Sequence, residues 1–180
     1  WLPAENLTDR GTRDRAPYQL WADRGLIEAT PGPVIDYQRI RARINDLRGR
    51  FRIDQIGFDP WNATQICSEL IDDGHLMVQV SQGMQSMSPP TKEFERLLRG
   101  GKLAHGGNAV LRYCASNVTV RADAEGNMKP SKPRSTGRID GISATIIALE
   151  RASRTPLAGG VTSVADVLGL APDGSLMTLA

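Results

Sequence analysis

The stretch Ile56-Gly57-Phe58-Asp59-Pro60-Trp61-Asn62-Ala63 constrains this chain most. A short apolar run ends on an acid there, and a helical pattern starts directly afterwards. The run reads as a strand over Asp54 to Asp59, with Asp59 at the strand end and aimed at a cleft. The residues after it, Ala63, Ile66, Cys67, Leu70 and Ile71, recur at helical spacing and predict a helix over Asn62 to Asp73. Before the strand, Leu26 to Thr30 reads as a short strand and Pro31-Gly32-Pro33 as a break, after which Asp36 caps a helix. That helix carries the stripe Ile40, Ile44, Leu47, Phe51 on one face expected to be buried, and Arg39, Arg41, Arg43, Arg48 and Arg50 on faces expected to be solvated. Leu76, Val78 and Val80 then alternate as another strand before Gln82-Gly83. The result is a β-α-β-α-β succession. It favours a mixed or parallel sheet with helices on its faces, an architecture in which ligands bind at the carboxyl ends of strands.

A second acid has a related placement. In Arg138-Ile139-Asp140-Gly141-Ile142, Asp140 opens the apolar helical run Ile142, Ala144, Ile146, Ile147, Leu149. Two acids on two rigid element ends suit divalent metal, because Mg²⁺ and Mn²⁺ take hard oxygen ligands and a pair of such ions activates water against a phosphodiester. The bland alternative stands beside it: Asp59-Pro60 as a strand-end turn and Asp140 as a helix cap. Earlier in the chain, Tyr18 to Arg24 reads as a short helix. Pro89-Pro90 leads into a helix over Lys92 to Arg99, and Gly100-Gly101 stops it. Asn108 caps a helix running to Asn117, and Val118 to Arg121 with Met128 to Pro130 forms a hairpin about Ala124 to Asn127. Lys129, Lys132, Arg134 and Arg138 then approach Asp140, and are read either as phosphate contacts or as a solvated basic loop.

Composition matters at three points. The 180 residues, 40% of them hydrophobic, suffice for one ordinary domain, set here at 1–152, with a loosely ordered tail over 153–180. A formal charge of +2 leaves nucleic-acid affinity to local clusters. Cys67 and Cys114 fall on helical apolar patterns as buried thiols, while His75 and His105 stand alone as turn or loop residues, so no zinc site is expected. No run of 18 apolar residues and no leader is read, and the chain is expected to be soluble. It opens at Trp1-Leu2-Pro3-Ala4-Glu5, a strand end entering a loop, and is read as a piece of a longer protein.

From Trp1 to about Arg151 the chain resembles the nuclease domain of tailed-phage terminase large subunits. The resemblance rests on ordered blocks: Trp1-Leu2-Pro3, Trp21-Ala22-Asp23-Arg24-Gly25, Val34-Ile35-Asp36-Tyr37, Gly57 to Ala63, Gln82-Gly83, Lys102-Leu103-Ala104-His105-Gly106-Gly107-Asn108, Lys129-Pro130 and Arg138 to Ile142. It implies an RNase H-like mixed sheet flanked by helices, without its first strands in this chain, so that the Asp54 to Asp59 strand keeps an open edge. It also implies an endonuclease using Mg²⁺ or Mn²⁺, held by Asp59, Asp140 and a first-strand acid that has no counterpart here, and cutting concatemeric double-stranded DNA during capsid filling. ATP would be used only in an upstream domain, since no phosphate-binding Gly-Lys-Ser/Thr loop is present. Implied partners are the phage portal protein and terminase small subunit, with no membrane, in the cytoplasm of an infected host or lysogen. Without the first acid, this piece alone is expected to be inactive. The alternative is a non-catalytic DNA- or portal-binding module of RNase H-like fold; a cellular nuclease or resolvase on that fold would lack this order of blocks. Trp61 is read as a packing residue in preference to a base-stacking one, and His105 receives no catalytic role.

Overall fold

The structure, a computed structural model, describes residues 1–61 and 63–154. Strand β1 (Leu2–Pro3) pairs in parallel with β2 (Ala29–Thr30), and helices α1 (Leu7–Asp14) and α2 (Tyr18–Asp23) lie between them. Helix α1 was not expected: Leu7-Thr8-Asp9-Arg10-Gly11-Thr12-Arg13-Asp14 has one large apolar residue. Its packing explains it. Leu7 and Gly11 are buried, and a Cβ on Gly11 would stand 2.6 Å from the carbonyl oxygen of Ala16, so only glycine lets the chain turn so tightly into α2. Leu7, Ala16, Tyr18 and Trp21 form one core cluster, with Trp21 edge-on to Tyr18 and Tyr113 at centroid distances of 5.7 and 5.3 Å.

Helix α3 (Tyr37–Arg48) starts where expected, with Asp36 Oδ1 accepting from the Gln38 amide at 2.9 Å. Its stripe is less buried than its spacing predicts. No residue of α3 is fully buried, and Phe51 is 51% exposed. Polar contacts attach the helix instead, which corrects the reading of its arginines as merely solvated. Arg41 forks onto both carboxylate oxygens of Asp73 at 2.6 Å, Asn45 Nδ2 donates to the same carboxylate at 2.8 Å, and Arg48 donates to the Asp73 carbonyl at 3.1 Å. His75, buried in the turn, shares a 2.7 Å hydrogen bond with Asn45.

The Arg41 fork, followed by Asn45, holds the Asp73 carboxyl well below the usual carboxylate range. A depressed folded-state pKa means the contribution is present above the unfolded value, about 3.9. It is lost as pH falls through the folded one. Hydrogen exchange over residues 37–48 should therefore stay slow from neutral pH down to about 4, and speed up at neutral pH in Arg41→Ala. Unchanged exchange in that variant would show that the clamp does not hold α3.

Strand β3 (Ile56–Phe58) is followed by α4 (Thr64–Asp72) and pairs in parallel with β4 (Met77–Gln79), Gly57 opposite Val78. Asn62, the expected helix start, lies outside the described residues. Helix α5 (Met84–Arg99) begins well before Pro89-Pro90, correcting the expectation that these prolines open it. Met87, Ser88, Pro90 and Thr91 are buried, so tertiary packing outweighs the two backbone donors that the prolines remove. Asn108 Oδ1 caps α6 (Ala109–Asn117) by accepting from Val110 and Leu111, each at 3.0 Å. Strands β5 (Val120–Ala122) and β6 (Met128–Pro130) make the expected hairpin, and a short 3₁₀ turn (Lys132–Arg134) leads to α7 (Asp140–Arg154).

The chain is thus mixed α/β, but the described residues form three two-stranded ladders rather than one sheet. The main core joins Val80, Met87, Cys114, Ile142 and Ile146, so α7 packs over α5, α6 and the β3–β4 pair. A Cβ on Gly57 would meet Ile147 Cγ2 at 2.8 Å and Arg151 Cγ at 2.9 Å; the missing side chain lets α7 lie directly on β3. Among the described residues β3 pairs only with β4, and its other edge borders a groove of about 480 Å³ along α7. Both cysteines are buried, and burial raises each thiol pKa. No helix among the described residues is long and apolar enough to cross a membrane. Helix α7 continues to Arg154; the rest of the expected tail lies outside the described residues.

Candidate functional site

Asp59 follows β3 directly, so the strand fixes its position at the carboxyl end of the ladder. Its Oδ1 accepts from the Trp61 amide at 3.1 Å, an Asx turn that the Asp-Pro sequence favours and that orients the carboxylate. Asp59 shares a cleft of about 320 Å³ with Gln82, Arg121, Lys129, Lys132 and Ser143. Lys129 Nζ donates to the Gln82 carbonyl at 2.5 Å, tying the hairpin to the segment before α5. The indole of Trp61 does not pack. It is 82% exposed, which overturns the packing assignment.

Asp140 is the first residue of α7, where the helix dipole favours an acid. Its neighbours Ile139 and Ile142 are 2% and 3% exposed, so the core fixes the backbone that presents an exposed carboxylate. Lys132 Nζ lies 2.9 Å from Asp140 Oδ1. Asp140 lines an adjoining cleft of about 260 Å³ that also holds Asp14, Arg138 and Lys132, with Lys132 common to both clefts. Lys132 thus pairs with Asp140 and also lines the cleft that Asp59 enters. Of the other basic residues expected here, Lys129 lines the Asp59 cleft and Arg138 the Asp140 cleft, while Arg134 is exposed and lines neither.

Two participants escaped the sequence. Arg121, on β5, lines the Asp59 cleft. Asp14 accepts from Arg138 Nε at 3.0 Å and from the Tyr18 hydroxyl at 3.0 Å, and its backbone carbonyl accepts from Tyr113. Burial opposes the Asp14 charge, but Arg138, Arg13 and Tyr18 together hold its carboxyl below the usual range. Burial and the Asp14 carboxylate push the Tyr18 phenol up. Asp14 thus pins the segment that delivers Asp140. Among the described residues no three His, Cys, Asp or Glu side chains converge as a metal-ligand set.

Residues 1–155 match the family described as Terminase large subunit, endonuclease domain. The chain belongs to that family. The terminase large subunit of Enterobacteria phage HK97 is 36% identical over 155 residues, which cover 85% of this chain and 31% of that protein. Protein YmfN of Escherichia coli (strain K12) is 31% identical over 161 residues, covering 84% and 35%. The crystal structure of the HK97 bacteriophage large terminase superposes with a TM-score of 0.77 at 36% identity, over 83% of this chain and 32% of that one. The chain spans about a third of the length of the relatives it matches. The terminase match takes in both acids, the basic hairpin and all of α7.

Proposed function

We propose that this terminase domain is a metal-dependent endonuclease that cuts concatemeric double-stranded DNA during capsid filling, with Asp59 and Asp140 holding the metal. The observation that carries the reading is that Lys132 borders the clefts of both acids: its ammonium pairs with Asp140, and the same lysine lines the cleft of Asp59. The donor set is hard oxygen, which suits Mg²⁺ or Mn²⁺, ions often held by one or two carboxylates with waters and substrate phosphate completing the shell. When bound, such ions activate water and stabilise the leaving oxygen of a phosphodiester, and a pair of them does both. The chain's own residues orient this chemistry. Trp61 fixes Asp59, Lys132 neutralises Asp140, and Arg121, Lys129 and Lys132 supply positive charge for the DNA backbone.

The finer fold reading is RNase H-like. It is supported by the parallel β3–β4 pair, by α7 lying across β3, and by the open edge of β3 beside an apolar groove that a further strand would fill. We place the reaction in the host cytoplasm, within a longer large subunit whose ATPase lies upstream, with portal protein and small subunit as partners. A second reading is a DNA- or portal-binding module that does not cut. It is favoured by the lack of a third converging acid among the described residues.

Crystals soaked in Mn²⁺ separate the two. The nuclease reading expects an anomalous peak about 2.1 Å from carboxylate oxygens of both Asp59 and Asp140, with the Lys132 ammonium moved off Asp140. No shared ion, with the carboxylates more than about 10 Å apart, would remove the two-metal assignment, because such ions lie about 4 Å from one another.

A further inference from the structure

We infer that Trp61 is a DNA-engaging residue whose indole contacts the nucleotides flanking the phosphate held in the Asp59 cleft; the inference rests on the nuclease reading above. A single exposed apolar residue is ordinary on a protein surface, and Trp61 is distinguished by where it stands. At 82% exposure it is the most exposed large hydrophobic residue described, and its amide is one 3.1 Å hydrogen bond from the Asp59 carboxylate. The Asx turn therefore ties the indole's backbone to the acid, so that the aromatic group and the carboxylate approach a ligand together. The cleft that Asp59 lines carries Arg121, Lys129 and Lys132. A basic cleft with an exposed aromatic residue two positions from its acid combines the groups by which proteins hold nucleic acid: cations track phosphates, and a ring covers an unstacked base or sugar face whatever the sequence. The nuclease reading makes double-stranded DNA the occupant. The occupant contributes phosphate for the cations and, where the duplex opens or bends, an apolar face for the indole.

The experiment is a titration of a fluorescent DNA duplex, followed by anisotropy at several salt concentrations without added divalent metal, so that no strand is cut. It uses the whole 180-residue chain, Trp61→Ala, Trp61→Phe and the double variant Lys129→Ala/Lys132→Ala. Trp61 is exposed, so its replacement leaves the fold intact. Trp61→Ala should weaken binding by about tenfold or more, the loss expected for one aromatic contact to a base. It should leave the salt dependence unchanged, and Trp61→Phe should recover most of the affinity. The lysine variant should instead flatten the salt dependence. Wild-type affinity in Trp61→Ala, with weakened binding in the lysine variant, overturns the role of Trp61 and leaves the DNA cleft standing. Unchanged binding in both variants, or no duplex binding by the wild type, overturns both.

Discussion

Replacing Ile146 with alanine should lower the stability of the folded chain by about 2–5 kcal/mol. Ile146 is 1% exposed and packs among Val80, Met87, Cys114 and Ile142, where α5, α6, α7 and the end of β4 converge. Truncation there removes buried methyl groups and leaves a cavity, because helices fixed by neighbouring contacts collapse only in part. Domains of this size are stable by only about 5–15 kcal/mol, so the loss is a large share of the total. Ile71 on α4 is 56% exposed and provides the control; its alanine variant should change stability by no more than about 0.5 kcal/mol. Urea unfolding followed by circular dichroism reads both. A change below about 1 kcal/mol at Ile146 would place the core elsewhere. The same helix carries Asp140 at its start, so a loosened α7 also loosens one half of the proposed metal site.

What was legible in the sequence was local. Asp36 and Asn108 announced their helices because a short side-chain acceptor directly precedes each helical pattern, and the structure shows both making those cap bonds. The β5–β6 hairpin was legible from alternation around a turn. The strand ending in Asp59 and the helix opening at Asp140 were also legible, since each acid sits at a boundary that hydrophobic pattern alone defines. What escaped was long-range. Asp14 and Arg138 are 124 positions apart, and no periodicity links them. Helix α1 exists through contacts made by Leu7 and Gly11, not through an apolar stripe. Pro89-Pro90 reads as a helix start until the burial of Met87 and Ser88 extends α5 past them. Arg41 reads as a solvated charge because its partner, Asp73, belongs to another helix-turn boundary. Trp61 reads as packing because aromatic residues beside strands usually pack, and only its exposure in the folded chain removes that assignment.

The second large effect follows from the proposed role of Asp59 and Asp140 in holding the catalytic metal. Asp59→Asn and Asp140→Asn keep size and shape while each removes a negative oxygen ligand. Ions then lose affinity, and the attacking water loses its activation. A bound metal supplies several kcal/mol of transition-state stabilisation, so each variant of the parent large subunit should cut DNA about a hundredfold more slowly or worse. ATP hydrolysis in a separate upstream domain has no reason to respond. Both carboxylates are on exposed residues, and neither substitution opens a cavity. The direct measurement is plasmid cleavage in Mg²⁺ or Mn²⁺, read beside DNA-stimulated phosphate release in the same preparations. Cleavage should disappear in both variants while phosphate release persists. Cleavage at the wild-type rate in either variant would remove that acid from the site and contradict the account.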